Sequence, residues 1–312
     1  MKLPDRIVVG LALDRASCAP SEGSRAAAET ALWLAEKAEG SHVTLLHSVV
    51  EDEYYDPLVD ELVPICGNVD PASRLAVSEL VARFRAHGVP CETVDTAERP
   101  SLAIRREVNS QRAQLVLVGK HDGREADAAR IGPIALRVLR ESPCAVWSVA
   151  PGRTSKPRCV LAATDLTATG DVAMEWAALV ARASGATLHA VHVHPPALHS
   201  RGASSKHHLD ELAACAVAPL PADLRASVRV HLREAAPAQG VLSLAEELEA
   251  DLVVMGTFSH RRDEPHHIGS TTERMITRFG GSLLLVRARG PNASGPLRIP
   301  PKRPATATAR RG

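Results

Sequence analysis

The stretch with the clearest chemical potential is Leu252-Val253-Val254-Met255-Gly256-Thr257-Phe258-Ser259, followed after nine residues by Gly269-Ser270-Thr271-Thr272. An apolar run of strand length meets a glycine, and a charged loop follows. A glycine with three hydroxyl residues then opens an amphipathic segment through Met275, Ile276 and Phe279. The first amides of a helix have no intrahelical acceptor, and the aligned peptide dipoles place partial positive charge there. A strand, loop and helix start of this kind therefore suits a phosphate. Gly269 lets the backbone come close to a ligand, while Ser270 and Thr271 add hydroxyl donors. Within the loop, His260, Arg261, Arg262, His266 and His267 could neutralise phosphate charge or form an ordinary solvated loop; both readings stay open.

Other chemistries find less support. A P-loop would need GxxxxGK[ST], and a dinucleotide fold GxGxxG after its first strand; neither stands in place. No GxSxG elbow points to hydrolase chemistry. The chain has 14 histidines, and His189, His192 and His194 fall near one strand end, with His207-His208 further on. His192 and His194 share a strand face, yet no carboxylate or thiolate completes a metal set at recognisable spacing, so no metal is assigned. Turnover of a nucleotide would need a positioned water and a distinct general base. No such base is evident, so slow hydrolysis is the most that the residues suggest.

The elements that must position these groups come as one unit written twice. Gln114 to Gly119 answers Asp251 to Gly256, and Ile131-Gly132 answers Ile268-Gly269, each at a spacing of 137 residues. Arg6 to Asp14 answers Arg158 to Asp165, and Val43 to Val49 answers Thr187 to Val193. Short β-branched apolar runs alternate with segments of helical period in both halves. In the first half strands are expected near 6–13, 42–49, 90–96, 114–119 and 144–149, with helices over 22–39, 72–87, 100–112 and 131–141. In the second, strands are expected near 158–164, 186–193, 227–234, 251–256 and 282–287, with helices over 170–184, 204–216, 237–250 and 270–279. The expected fold is α/β: two tandem five-stranded parallel, doubly wound, Rossmann-like domains. Domain limits fall at 1–150 and 157–288, joined by the Pro- and Gly-bearing linker from Ala150 to Pro157, with a disordered basic tail at 289–312. In such a sheet, Asp165 and Gly256 face one crevice if the first and fourth strands are neighbours, although Asp165 could also cap the next helix.

Composition excludes some partners. Charge is nearly balanced at +1, and aromatics are 3%, so there is no global case for nucleic acid. No run is long enough to span a bilayer, and Met1 to Arg6 leads into a strand-like segment without a signal-peptide pattern. The six cysteines form no CxxC pair, so the expected setting is cytoplasmic, with free thiols. The acidic stretch from Glu51 to Asp70 reads as an excursion, a lid or a partner patch.

Gly256-x2-Ser259-x9-Gly269-Ser270 after a fourth strand, with Asp165 after a first, resembles the nucleotide-binding universal stress proteins, and two such units resemble their tandem members. The resemblance covers 6–149 and 158–287. It implies ATP as ligand, with Mg²⁺ an open addition. Gly256, Ser259, Gly269, Ser270, Thr271 and Thr272 would surround the phosphates, Thr164 and Asp165 would lie beside the nucleoside, Val193 would give a main-chain contact, and Met255 completes the nucleotide-binding set. Ser259 stands where the family has a glycine, which costs about 1 kcal/mol of strain if positive φ is needed. The first half departs further: Asp122 stands at that position, and Gly132 is followed by Pro133, which has no N–H. It is expected not to bind ATP. The implied function is an ATP-binding stress-response or signalling module. Alternatives are a slow Mg-dependent nucleotide hydrolase and an interaction scaffold without nucleotide. The halves are expected to pair through their last strands, Cys144 to Val149 and Ser282 to Val286; a homodimer and unidentified protein partners stay open.

Overall fold

The computed structural model describes residues 2–14, 17–49, 71–120, 131–152, 156–194, 206–257 and 268–287. Ser259, the loop histidines and arginines, the acidic stretch at 51–70 and the tail at 289–312 lie outside them.

The first half runs β1 (Arg6–Leu11), α1 (Glu22–Lys37), β2 (His42–Ser48), α2 (Pro71–Ala86), β3 (Cys91–Thr96), α3 (Pro100–Gln111), β4 (Leu115–Gly119), α4 (Pro133–Glu141), β5 (Ala145–Val149). The second runs β6 (Cys159–Ala163), α5 (Ala168–Ser184), β7 (Thr187–His194), α6 (Lys206–Val217), α7 (Ala222–Arg225), β8 (Arg229–Glu234), α8 (Pro237–Glu247), β9 (Leu252–Gly256), α9 (Ser270–Arg278), β10 (Ser282–Val286). α7 is a four-residue turn of helix after Pro221. It is too short for apolar periodicity to announce it.

All ten strands form one sheet in the order β3-β2-β1-β4-β5-β10-β9-β6-β7-β8. Neighbours within each half are parallel, and β5 meets β10 antiparallel, with Trp147 opposite Leu284. The two doubly wound units thus share a sheet rather than standing as separate ones. Central strands are apolar on both faces because helices cover both: Ile7, Val8, Val9, Val160, Leu161, Leu283 and Leu284 have no exposed surface. One face carries α1, α2 and α5 over Leu45, Leu117, Ala162 and Val254. The other carries α3, α4, α8 and α9 over Val8, Val116, Leu161 and Val253.

Helix starts follow local chemistry. Ser21 accepts from the Ser24 amide at the head of α1, and Thr167 accepts from the Gly170 amide at the head of α5. α5 stops at Gly185, whose φ of 73° suits glycine. No helix among the described residues is long and apolar enough to cross a membrane.

Candidate functional site

Winding reverses between β6 and β9, which are direct neighbours, so the carboxyl ends of both strands open on one crevice. A cavity of about 260 Å³ lies there. This is near the lower end of small-molecule sites, at roughly 300–1,000 Å³. It brings together Thr164, Asp165, Val193, Met255, Gly256, Gly269, Ser270, Thr271 and Thr272. Ser259 falls outside the described residues. Gly170, Val191, Pro237, Val241 and Thr257 also line the cavity, and of these only Thr257 stands within the sequence motif. Pro237 and Val241 come from α8, which carries no motif; their position follows from the crossover that lays α8 over β7.

The carboxylate end of the cavity is a tight corner. Thr167 donates to Asp165 Oδ1 through its amide (3.1 Å) and its hydroxyl (2.5 Å), and Thr167 itself caps α5. Asp165 therefore organises the cap without being it, and its Oδ2 has no hydrogen-bond partner among the described residues. Leu166, between them, holds φ at 61° while its side chain is buried, and its amide donates to Thr164 Oγ1 (3.0 Å). A branched residue in that region is strained, and here it keeps the backbone turned around the carboxylate. A Cβ on Gly170 would stand 2.6 Å from Thr164 Oγ1 and 2.9 Å from Asp165 Oδ1, so the corner admits only glycine.

The opposite end is the start of α9. Gly269 is its N-cap and offers no side-chain acceptor to the first turn. Gly269 donates to the Thr257 carbonyl (3.1 Å), closing the loop between them, and Thr272 donates through Oγ1 to the Gly256 carbonyl (3.1 Å). Thr272 thus ties helix to strand, whereas Ser270 is exposed and Thr271 half-buried. Gly269 has an ordinary φ of −61°, and a Cβ there would meet only Thr257 O at 3.7 Å. Nothing among the described residues requires glycine at this position. Gly256 differs: its Cβ would fall 2.5 Å from Thr169 Cγ2, so it is needed for α5 to sit on the sheet.

Three imidazoles stand on β7 and β8, the strands beyond β6. His192 is buried and donates through Nδ1 to the Thr164 carbonyl (3.0 Å). His189 and His231 stack at 5.2 Å between ring centres, with Nδ1 and Nε2 2.9 Å apart. Burial, first of all, holds all three below the ordinary histidine range; neighbouring charge from His194, His231, Arg229 and Arg233 adds to it. The unfolded chain therefore binds these protons at a higher pH than the folded one. Stability should be complete above the unfolded value near pH 6.5 and fall as pH drops through it. Thermal midpoints are expected to be lower at pH 5.5 than at pH 7.5; equal midpoints, or a higher one at pH 5.5, would refute this. No group of three or more metal-ligating side chains stands together among the described residues.

The equivalent place in the first half is built differently. Ile7 pairs with Leu115 as Val160 pairs with Leu252, so the residue in register with Asp165 is Ala12, not Asp14 as the sequence repeat suggests. Asp14 lies beyond, in a loop where its Oδ1 accepts from the Ser17 amide (2.9 Å) and hydroxyl (3.1 Å). Leu13 has already left the strand to bridge Pro20. At the head of α4, Pro133 occupies the first turn, and Ala135 is buried in the core.

A profile of the universal stress protein family matches residues 5–150 and again 157–287. No curated protein matches the sequence. Among solved structures, a universal stress protein from Archaeoglobus fulgidus DSM 4304 aligns with a TM-score of 0.63 at 17% identity, covering 91% of this chain and 98% of that one. A functionally unknown protein from Pseudomonas aeruginosa PAO1 gives 0.64 at 17% identity, covering 91% and 93%. At that identity the likeness is one of fold. The family match, repeated over both halves and spanning nearly all of residues 5–287, carries the assignment: the chain belongs to the universal stress protein family, with the unit present twice in tandem.

Proposed function

We propose that the protein is a stress-response module that binds ATP in its second half, in the cavity between β6, β9 and the head of α9. The supporting observation is the pairing of opposite chemistries across one crevice. Ala163, Val191, Val193 and Val241 offer apolar surface to a base, Asp165 offers an acceptor to a ribose, and Ser270, Thr271 and the first turn of α9, which has no side-chain cap, line the other end. Among the described residues Asp165 is also the one lining carboxylate that could ligate Mg²⁺ carried in with the phosphates. The first half lacks both the aspartate and a full set of amides, and serves as a partner rather than a second site.

Calorimetric titration with ATP·Mg²⁺ tests this on wild type and Gly269→Ala. Alanine keeps the Gly269 amide, and among the described residues its Cβ would meet only Thr257 O at 3.7 Å, so circular dichroism should be unchanged. Affinity should fall about tenfold, which is about 1.4 kcal/mol, because the methyl group takes space a phosphate needs. One site per chain is expected. Two would show that the first half binds as well, and no heat from wild type would end the nucleotide reading.

A further inference from the structure

The position after β4 and its counterpart after β9 hold Lys120 and Thr257. Their backbones do the same thing: Lys120 donates to the Val149 carbonyl (2.8 Å), and Thr257 to the Val286 carbonyl (3.0 Å). Their side chains do not. Thr257 turns back on its own half, its hydroxyl donating to Val286 O (3.3 Å). Lys120 crosses into the second half with 2% of its surface exposed, and its Nζ donates to the carbonyls of Phe279 (2.6 Å) and Gly281 (2.7 Å). The Phe279 ring lies 5.7 Å from the ammonium.

Phe279 is the C-cap of α9. The last carbonyls of a helix have no intrahelical donor, and that end carries partial negative charge, so a cation there answers both. Lys120 therefore grips one end of the helix whose other end lines the cavity. α9 spans only Ser270–Arg278, so a shift at its C-terminus has little length over which to be absorbed. Glycine makes room for this arrangement: a Cβ on Gly281 would meet the Phe279 ring, over which the ammonium lies, at 2.6 Å.

We propose that Lys120 is a positioning residue, through which the first half sets the pose of α9 and so the geometry of the cavity in the second half. The proposal rests on the nucleotide reading for its ligand, but its structural part can be measured without one. An internal control exists in the reverse direction. Arg287 of the second half donates to the Leu139 (3.2 Å) and Arg140 carbonyls at the end of α4, the counterpart helix in the first half.

The test compares wild type, Lys120→Met and Arg287→Met by hydrogen–deuterium exchange and by ATP·Mg²⁺ calorimetry. Methionine keeps length and removes both charge and donors. In Lys120→Met the α9 amides should exchange at least fivefold faster, with β1 to β4 unchanged, and ATP affinity should fall at least fivefold. Arg287→Met should loosen α4 and leave α9 and ATP affinity at wild-type values. Unchanged α9 exchange, or a loosened α9 with wild-type affinity, overturns the proposal. If Lys120→Met does not fold, Lys120→Gln, which keeps an amide donor on a shorter side chain, is measured against the same criteria. If wild type itself takes up no ATP, the nucleotide reading fails separately, and α9 exchange still decides whether Lys120 holds the helix.

Discussion

Gly119→Ala is expected to lower stability by about 3 kcal/mol, the upper end of what overpacking a close-packed interior costs. The added Cβ would stand 2.2 Å from the Gly23 carbonyl carbon and 2.6 Å from the Ser24 amide nitrogen. Both are backbone atoms in the first turn of α1, so no rotamer change can relieve the contact. Relief requires lifting α1 off the sheet, where Ala27, Ala31 and Leu34 have at most 1% of their surface exposed. Gly23→Ala meets the same wall from the other side, at 2.1 Å from Lys120 O. The counterpart substitution, Gly256→Ala, meets the methyl group of Thr169 rather than backbone, so it also presses on α5 but its cost should be smaller. Urea denaturation checks both: the midpoint should fall in each, and further for Gly119→Ala, with the slope unchanged. Equal or negligible losses would mean that α1 and α5 sit on the sheet with slack.

Leu284→Ala should cost about 3–5 kcal/mol, the range for emptying a buried leucine site that cannot collapse. Leu284 has no exposed surface and lies on β10, hydrogen-bonded to β9 on one side and β5 on the other. Opposite it stands Trp147, which is 2% exposed. A void here sits at the seam between the halves, in a rigid sheet that cannot close around it. Both halves should therefore lose protection together in native-state hydrogen exchange. Loss confined to the second half would show that the seam transmits little between them.

Much of the architecture was legible in residue order because it rests on local rules. Fully apolar strands such as Leu115 to Val118 and Leu252 to Met255 announce a sheet covered on both faces, and their alternation with helical periods announces parallel strands. The Gly269-Ser270-Thr271-Thr272 helix start was readable for the same reason, since helix N-termini have their own chemistry. Registers were less legible. Asp14 looks like the twin of Asp165 when the repeats are laid side by side, yet the ladder puts Ala12 in its place. A repeat alignment counts residues, whereas hydrogen bonding decides register; β1 stops at Leu11, and Leu13 beyond it bridges Pro20, so Asp14 falls in the loop.

Residue order was enough for the duplicated α/β unit, the start of α9 after Gly269 and the proline at the head of α4. Those features depend on periodicity and on backbone groups that each residue carries wherever it lies. Contacts between distant elements are of another kind. That Gly256 serves the packing of α5 while no described residue crowds Gly269 follows from which atoms approach each glycine, and both read alike in a string of letters. That Lys120 ends against the carboxyl end of α9 follows from β5 and β10 meeting edge to edge, which sets residues 159 positions apart within hydrogen-bonding distance. Burial and long-range pairing are properties of the assembled chain, because the free energy that selects them comes from surfaces that only meet once it has folded.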